Sequence, residues 1–149
     1  MPDFISLARD FDYDFWANRR WLACLAGKQF PEPDTKIFAH MLSASQIWLS
    51  RVHGESPTKM PEVEPTESEL VRLHADWTDI FLNTSEDRQI SYRRTTGEEF
   101  TVWLSDIAHH AANHGTYHRG ELRGLCRSRG DDDFPETDFA GFMFMKPPA

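Results

Sequence analysis

The chain has 149 residues, 40% of them hydrophobic and 27% charged, with a net charge of −8; a chain this long buries a core without disulfides or a structural metal. The acidic balance repels phosphate backbones, which argues against nucleic-acid binding. No stretch approaches 18 apolar residues and the N-terminus lacks a basic segment before an apolar run, so neither a membrane span nor a signal peptide is read.

The first predicted helix runs from about Phe4 to Gly27. Phe4, Leu7, Phe11, Phe15, Leu22 and Leu25 follow at steps of three and four, with Asn18 filling the one gap, and Gly27 suits a C-terminal cap. The second begins after Pro31 and Pro33 with Asp34 as the expected N-cap and ends near Gly54. Its stripe is Ile37, His40, Met41, Ala44, Ile47 and Trp48. Residues 55–65 hold three prolines and read as a loop. Thr66-Glu67-Ser68-Glu69 opens the third helix with a capping-box pattern, and Leu70, Leu73, Trp77, Ile80 and Phe81 follow.

The period then changes to two. Ile90, Tyr92 and Arg94 alternate, as do Phe100 and Val102, with Thr96-Gly97 between them, which predicts a short β-hairpin. The fourth helix is expected from about Val102 to Arg129, closed by Gly130, with Ile107, Ala111, His114, His118, Leu122 and Leu125 on one face. The tail from Asp131 is acidic, then aromatic at Phe139, Phe142 and Phe144, and is expected to pack back in extended form. One domain spanning residues 1–149 follows, and four long amphipathic helices argue for an all-α four-helix bundle. Cys24 and Cys126 are far apart and outside any CxxC, as reduced thiols of a cytoplasmic protein would be.

Chemistry concentrates on histidines. His114 and His118 are four residues apart, so their rings stack one turn apart on one helix face, where two imidazoles can hold one divalent ion. Spacing alone also admits two core histidines bonded to polar neighbours. His40 lies in the apolar stripe of the second helix. Three inward imidazoles need a shared partner, and three protein ligands with an open position is the pattern of a catalytic metal site. His110 shares a side with His114 and is a candidate proton acceptor. Glu121, three residues past His118, is read as an acceptor for an imidazole N–H, a ligand or a base; a surface carboxylate pairing with arginines is the alternative. Arg119, Arg123 and Arg127 repeat at four-residue steps. Either they complement the helix C-terminus, or Arg119 and Arg123 form an anion-recognising patch for a carboxylate or thiol cofactor.

Three stretches, DYDFWANRRWL, FAHMLSASQIWLSRVHG and HHAANHGTYHRGEL, together with the tail ETDFAGFMF, resemble the DinB/YfiT-like superfamily of metal-dependent enzymes across nearly the whole chain. The resemblance implies an up-down-down-up bundle, commonly dimeric. It implies a triad of one histidine from the second helix and an HxxxH pair from the fourth, matching His40, His114 and His118. It further implies a divalent ion such as nickel, zinc or iron, and, in some relatives, S-transfer or isomerisation with low-molecular-weight thiols. Where the family often has Gln after HRG, this chain has Glu121. Two other readings stand beside the thiol transferase: a non-catalytic metal-binding or stress-associated dimer, and a hydrolase using metal-bound water.

Overall fold

The computed structural model describes residues 2–145. They are mostly helical: α1 (Phe4–Gly27), α2 (Glu32–Val52), α3 (Glu67–Leu82), β1 (Gln89–Arg93), β2 (Glu99–Trp103), α4 (Leu104–Ser128) and the short α5 (Phe139–Met143). No helix among them is long and apolar enough to cross a membrane.

Helix starts follow local chemistry. Asp3 caps α1 by accepting from the amides of Ile5 and Ser6. Thr66 caps α3 through the Glu69 amide, as the capping-box pattern requires. The start of α2 differs from the expected one. The helix begins at Glu32 behind Pro31, so Asp34 lies inside the first turn rather than at the cap. A proline in the first turn loses no hydrogen bond, because that N–H would be unpaired anyway. Asp34, thus freed, is fully buried and accepts a fork from Arg129 at 2.7 and 3.2 Å. This clamps the start of α2 to the end of α4.

Gly27 is the last residue of α1 without taking the left-handed conformation, whereas Gly130, closing α4, does so at φ 74°. Helix α4 begins at Leu104, because Val102 pairs with Ile90 in the hairpin. Trp103 has no side-chain cap to offer. Asp87, from the loop before β1, supplies it by accepting from the Ser105 amide and hydroxyl at 3.1 and 2.5 Å. The hairpin turns at Gly97, where φ is 98° and the cost of a Cβ is absent.

The helices pack pairwise with definite directions. Phe4 meets Phe81, Phe11 meets Trp77 and Phe15 stacks on His74, so α1 and α3 run antiparallel. His40 faces His118 and Asp34 meets Arg129, so α2 and α4 are antiparallel. Asp14 meets Arg119 and Lys28 meets Asp131, so α1 runs parallel to the α4 segment. The core is aromatic: Trp21, Trp77 and Phe38 are fully buried with Leu7, Leu42, Leu49, Leu104 and Leu122. Trp21 takes the central place on α1, with Leu22 and Leu25 half-buried beside it. The tail is not extended throughout. Residues 139–143 form α5, capped by Asp138, and Phe139 and Phe142 pack on Tyr13 and Trp16. Phe144 remains 80% exposed.

Candidate metal centre

Helices α2 and α4 bring His40, His114 and His118 together. One nitrogen from each imidazole lies within 4.8 Å of the others. The rings of His40 sit edge-on to His114 and His118 at 5.2 and 5.0 Å between centroids. The i, i+4 step on α4 sets Nε2 of His118 3.1 Å from Nε2 of His114. His118 Nδ1 lies 2.9 Å from Oε1 of Glu121. A carboxylate only accepts, so Nδ1 carries the proton and Nε2 turns a lone pair towards the other two rings.

That donor set fits a divalent ion. Nitrogens each about 2.0–2.1 Å from one ion stand about 3–3.5 Å apart. The His114–His118 pair already has this separation, and no protein donor besides the imidazoles themselves approaches the two facing nitrogens among the described hydrogen bonds. Two of the rings, His114 and His40, are also biased towards the neutral form. Partial burial, reinforced by His118, His40 and His110, pulls the His114 pKa down to about 4. Burial and then His118 lower His40, against a weaker opposing pull from Glu121. Neutral imidazole is the ligating form. His40 is exposed and His114 and His118 half-buried, so the cluster opens to solvent.

His110 lies one turn before His114, with ring centroids 5.4 Å apart, and its other side meets Trp48 at 5.4 Å. The ring keeps an exposed face, yet the surface it loses to these neighbours lowers its pKa. Glu121 is half-exposed and engaged with His118, which makes it a positioning group in this geometry.

The arginine stripe points elsewhere. Residues 114 and 119, like 118 and 123, are five apart, which is about 140° around a helix at 3.6 residues per turn. Arg119 is 2% exposed in the α1–α4 seam, where it donates to Asp14 at 2.6 Å and Asn18 at 2.8 Å and covers the Tyr13 ring. Arg123 lies over Phe134 and 3.6 Å from Glu136 of the tail. The expected anion patch beside the histidines is therefore absent at Arg119 and Arg123, whose guanidiniums serve the far side of α4. Tyr117 and Arg51 escaped the sequence reading. Tyr117 is 72% exposed with its ring 5.0 Å from that of His118. Arg51, on the α2 face of His40, carried no motif that would single it out.

The sequence model of the DinB family matches residues 35–149. Protein DinB of Bacillus subtilis (strain 168) is 23% identical over 162 aligned positions, covering 91% of this chain and 92% of that protein. The matched segment contains all three triad histidines together with His110 and Glu121.

Proposed function

We propose that this chain, which belongs to the DinB family, binds a divalent ion through His40, His114 and His118 and acts on a small molecule, in the manner of a thiol-dependent S-transferase. The observation that carries the reading is the convergence of three imidazole nitrogens within 4.8 Å at an opening to solvent. The pairwise helix directions, α1 with α4 and both opposed to their partners, support a four-helix bundle of up-down-down-up order as the frame. One domain over residues 1–149 accompanies that frame.

When bound, a divalent ion on three imidazoles with an open position would act as a Lewis acid that lowers the pKa of a thiol or water. The protein's own part is more specific. Glu121 fixes the His118 tautomer. His110, exposed and kept neutral near pH 7, stands one turn from His114 and can accept the proton a thiol gives up. Tyr117 offers an exposed ring beside His118 for the apolar part of a substrate. The opening to solvent favours this reading over a closed, structural ion. Nickel, zinc and iron all suit imidazole donors. Free Cys24 and Cys126 accord with a reducing, cytoplasmic setting.

In cobalt-substituted protein, 2-mercaptoethanol should add a sulfur-to-metal band in the near ultraviolet. Affinity should fall with pH as thiolate and neutral imidazole are lost to protons. An unchanged cobalt spectrum with several common thiols would remove the transferase reading and leave the hydrolase or the non-catalytic dimer.

A further inference from the structure

Arg51 stands in the last turn of α2, eleven residues after His40. At 100° per residue this is almost the same helix face, and at 1.5 Å per residue about 16 Å along it. Its side chain is 8% exposed. The guanidinium carbon lies 4.5 Å from the Trp48 ring centroid and 4.6 Å from that of Tyr92, so two aromatic rings hold the group. Among the described residues no carboxylate pairs with it, and Nε is buried without a hydrogen-bond partner. Burial is the main influence on its pKa and lowers it; Tyr92 opposes this, and the neighbouring cation Arg94 adds to it.

A purely structural role accounts for the ring contacts and for a cation in the last turn of α2, but among the described residues it leaves the N–H donors without acceptors. A methionine or leucine would fill the aromatic slot without the cost of burying an unpaired charge. Nor does Arg51 cap its helix. The last carbonyls of α2 already accept from backbone amides, Leu49 from His53, Ser50 from Glu55 and Arg51 from Gly54. What aromatic rings do achieve is to fix a guanidinium while its N–H donors stay unspent. Those donors are the fork that binds an oxyanion in two parallel hydrogen bonds. Between Arg51 and the triad the surface is a continuous run of rings, Trp48 on His110 and His110 on His114.

We propose that Arg51, held by Trp48 and Tyr92, receives the carboxylate end of an elongated ligand whose other end reaches the histidine triad. The carboxylate half stands on Arg51 alone, and the bridging half rests on the function proposed above. An extended peptide covers about 3.3–3.6 Å per residue, so about 16 Å between the two backbone positions corresponds to four to five residues, and to fewer for the side chains, because the Arg51 guanidinium leans back over Trp48, three residues nearer the triad.

The experiment has two arms. In metal-free protein, acetate and inorganic phosphate are titrated separately while the arginine Nε–H resonances are followed by NMR; the Arg51 signal is identified by its loss in Arg51→Lys. Acetate should move that resonance selectively. No movement, or a response to phosphate alone, overturns the carboxylate assignment irrespective of any metal. In cobalt-loaded protein, the affinities of glutathione and 2-mercaptoethanol are compared between wild type and Arg51→Met, which keeps the apolar stem. Glutathione should weaken about 10- to 100-fold, the loss of one charge-assisted pair, while 2-mercaptoethanol stays unchanged. An equal loss for both thiols marks Arg51 as structural, and no loss for glutathione overturns the bridge. If wild type binds neither thiol through cobalt, the function reading fails while the acetate titration still decides Arg51.

Discussion

At the residue scale, the facing imidazole nitrogens of His114 and His118 meet no other protein donor among the described hydrogen bonds. His118 is turned by Glu121 so that one nitrogen is spent on the carboxylate and the other faces His114 3.1 Å away. Removing an orienting carboxylate of this type costs about 10- to 100-fold in metal affinity. Glu121→Gln should thus keep the stoichiometry and weaken binding in competition with a chromophoric chelator; unchanged affinity would reduce Glu121 to a surface charge. His114 also makes a prediction for the ion-free protein. Its folded pKa, about 4, is below the ordinary value of 6.5, so below pH 6.5 the unfolded chain binds protons that the folded chain refuses. The stability present above pH 6.5 should therefore decline between pH 6.5 and 4, measured by urea unfolding. His114→Leu should flatten part of that slope, and a slope unaltered by the substitution would contradict the assignment.

At the element scale, α4 works on two faces. One carries the histidines, and the other meets α1 through Arg119 and Asp14. Gly115 sits where these faces divide. A Cβ there would stand 2.3 Å from Oδ1 of Asp14 and 2.9 Å from Nη1 of Arg119. Gly115→Ala should thus destabilise by about 1–3 kcal/mol through overpacking. Gly120 and Gly124 have nothing within 4 Å of such an atom. Alanine at either should stabilise by about 0.5–1 kcal/mol, because an open mid-helix glycine costs conformational entropy. Chemical denaturation of the three variants checks the contrast; equal effects at all three sites would contradict it.

Helix α3 and the hairpin show what was legible beforehand. Leu70, Leu73, Trp77, Ile80 and Phe81 of α3 could be read directly, because an apolar side chain at a 3.6-residue period has one place to go. The hairpin was equally plain, since Ile90 and Tyr92 alternate about a glycine turn. The direction of a polar side chain was harder. Arg119 belongs to the i, i+4 series of His118's neighbours only in sequence; its partner Asp14 is 105 positions away, and no local signal reports such a pair. Asp34 misled for the same reason. A short carboxylate near a helix start usually caps it, and here it answers Arg129 across the fold. Arg51 gave no signal because its site is assembled from α2 and the hairpin together.

At the scale of the whole molecule, several apolar side chains remain in solvent. Ile5 and Leu82 are 83% and 76% exposed, and their neighbours Phe4 and Phe81 pack on each other, which puts both at one end of the α1–α3 pair. Trp103 and Phe100 of the hairpin are 47% and 39% exposed. Such surface suits a self-complementary contact. With a chain mass of 17.3 kDa, a homodimer should scatter light at about 35 kDa at micromolar concentration, and Leu82→Asp should shift it towards the monomer if that end is the interface. A monomeric mass for the unaltered protein refutes the dimer. Neither outcome touches the triad, which one chain completes by itself. Metal binding by the triad is decided by elemental analysis of protein purified without added metal and without a histidine tag. About one divalent ion per chain should be found, retained on dialysis, and none in the His114→Ala, His118→Ala double variant while its helical circular dichroism persists. A double variant that still holds its ion, or a wild-type chain that binds none even after supply of zinc, nickel, iron and cobalt, would contradict metal binding by the triad.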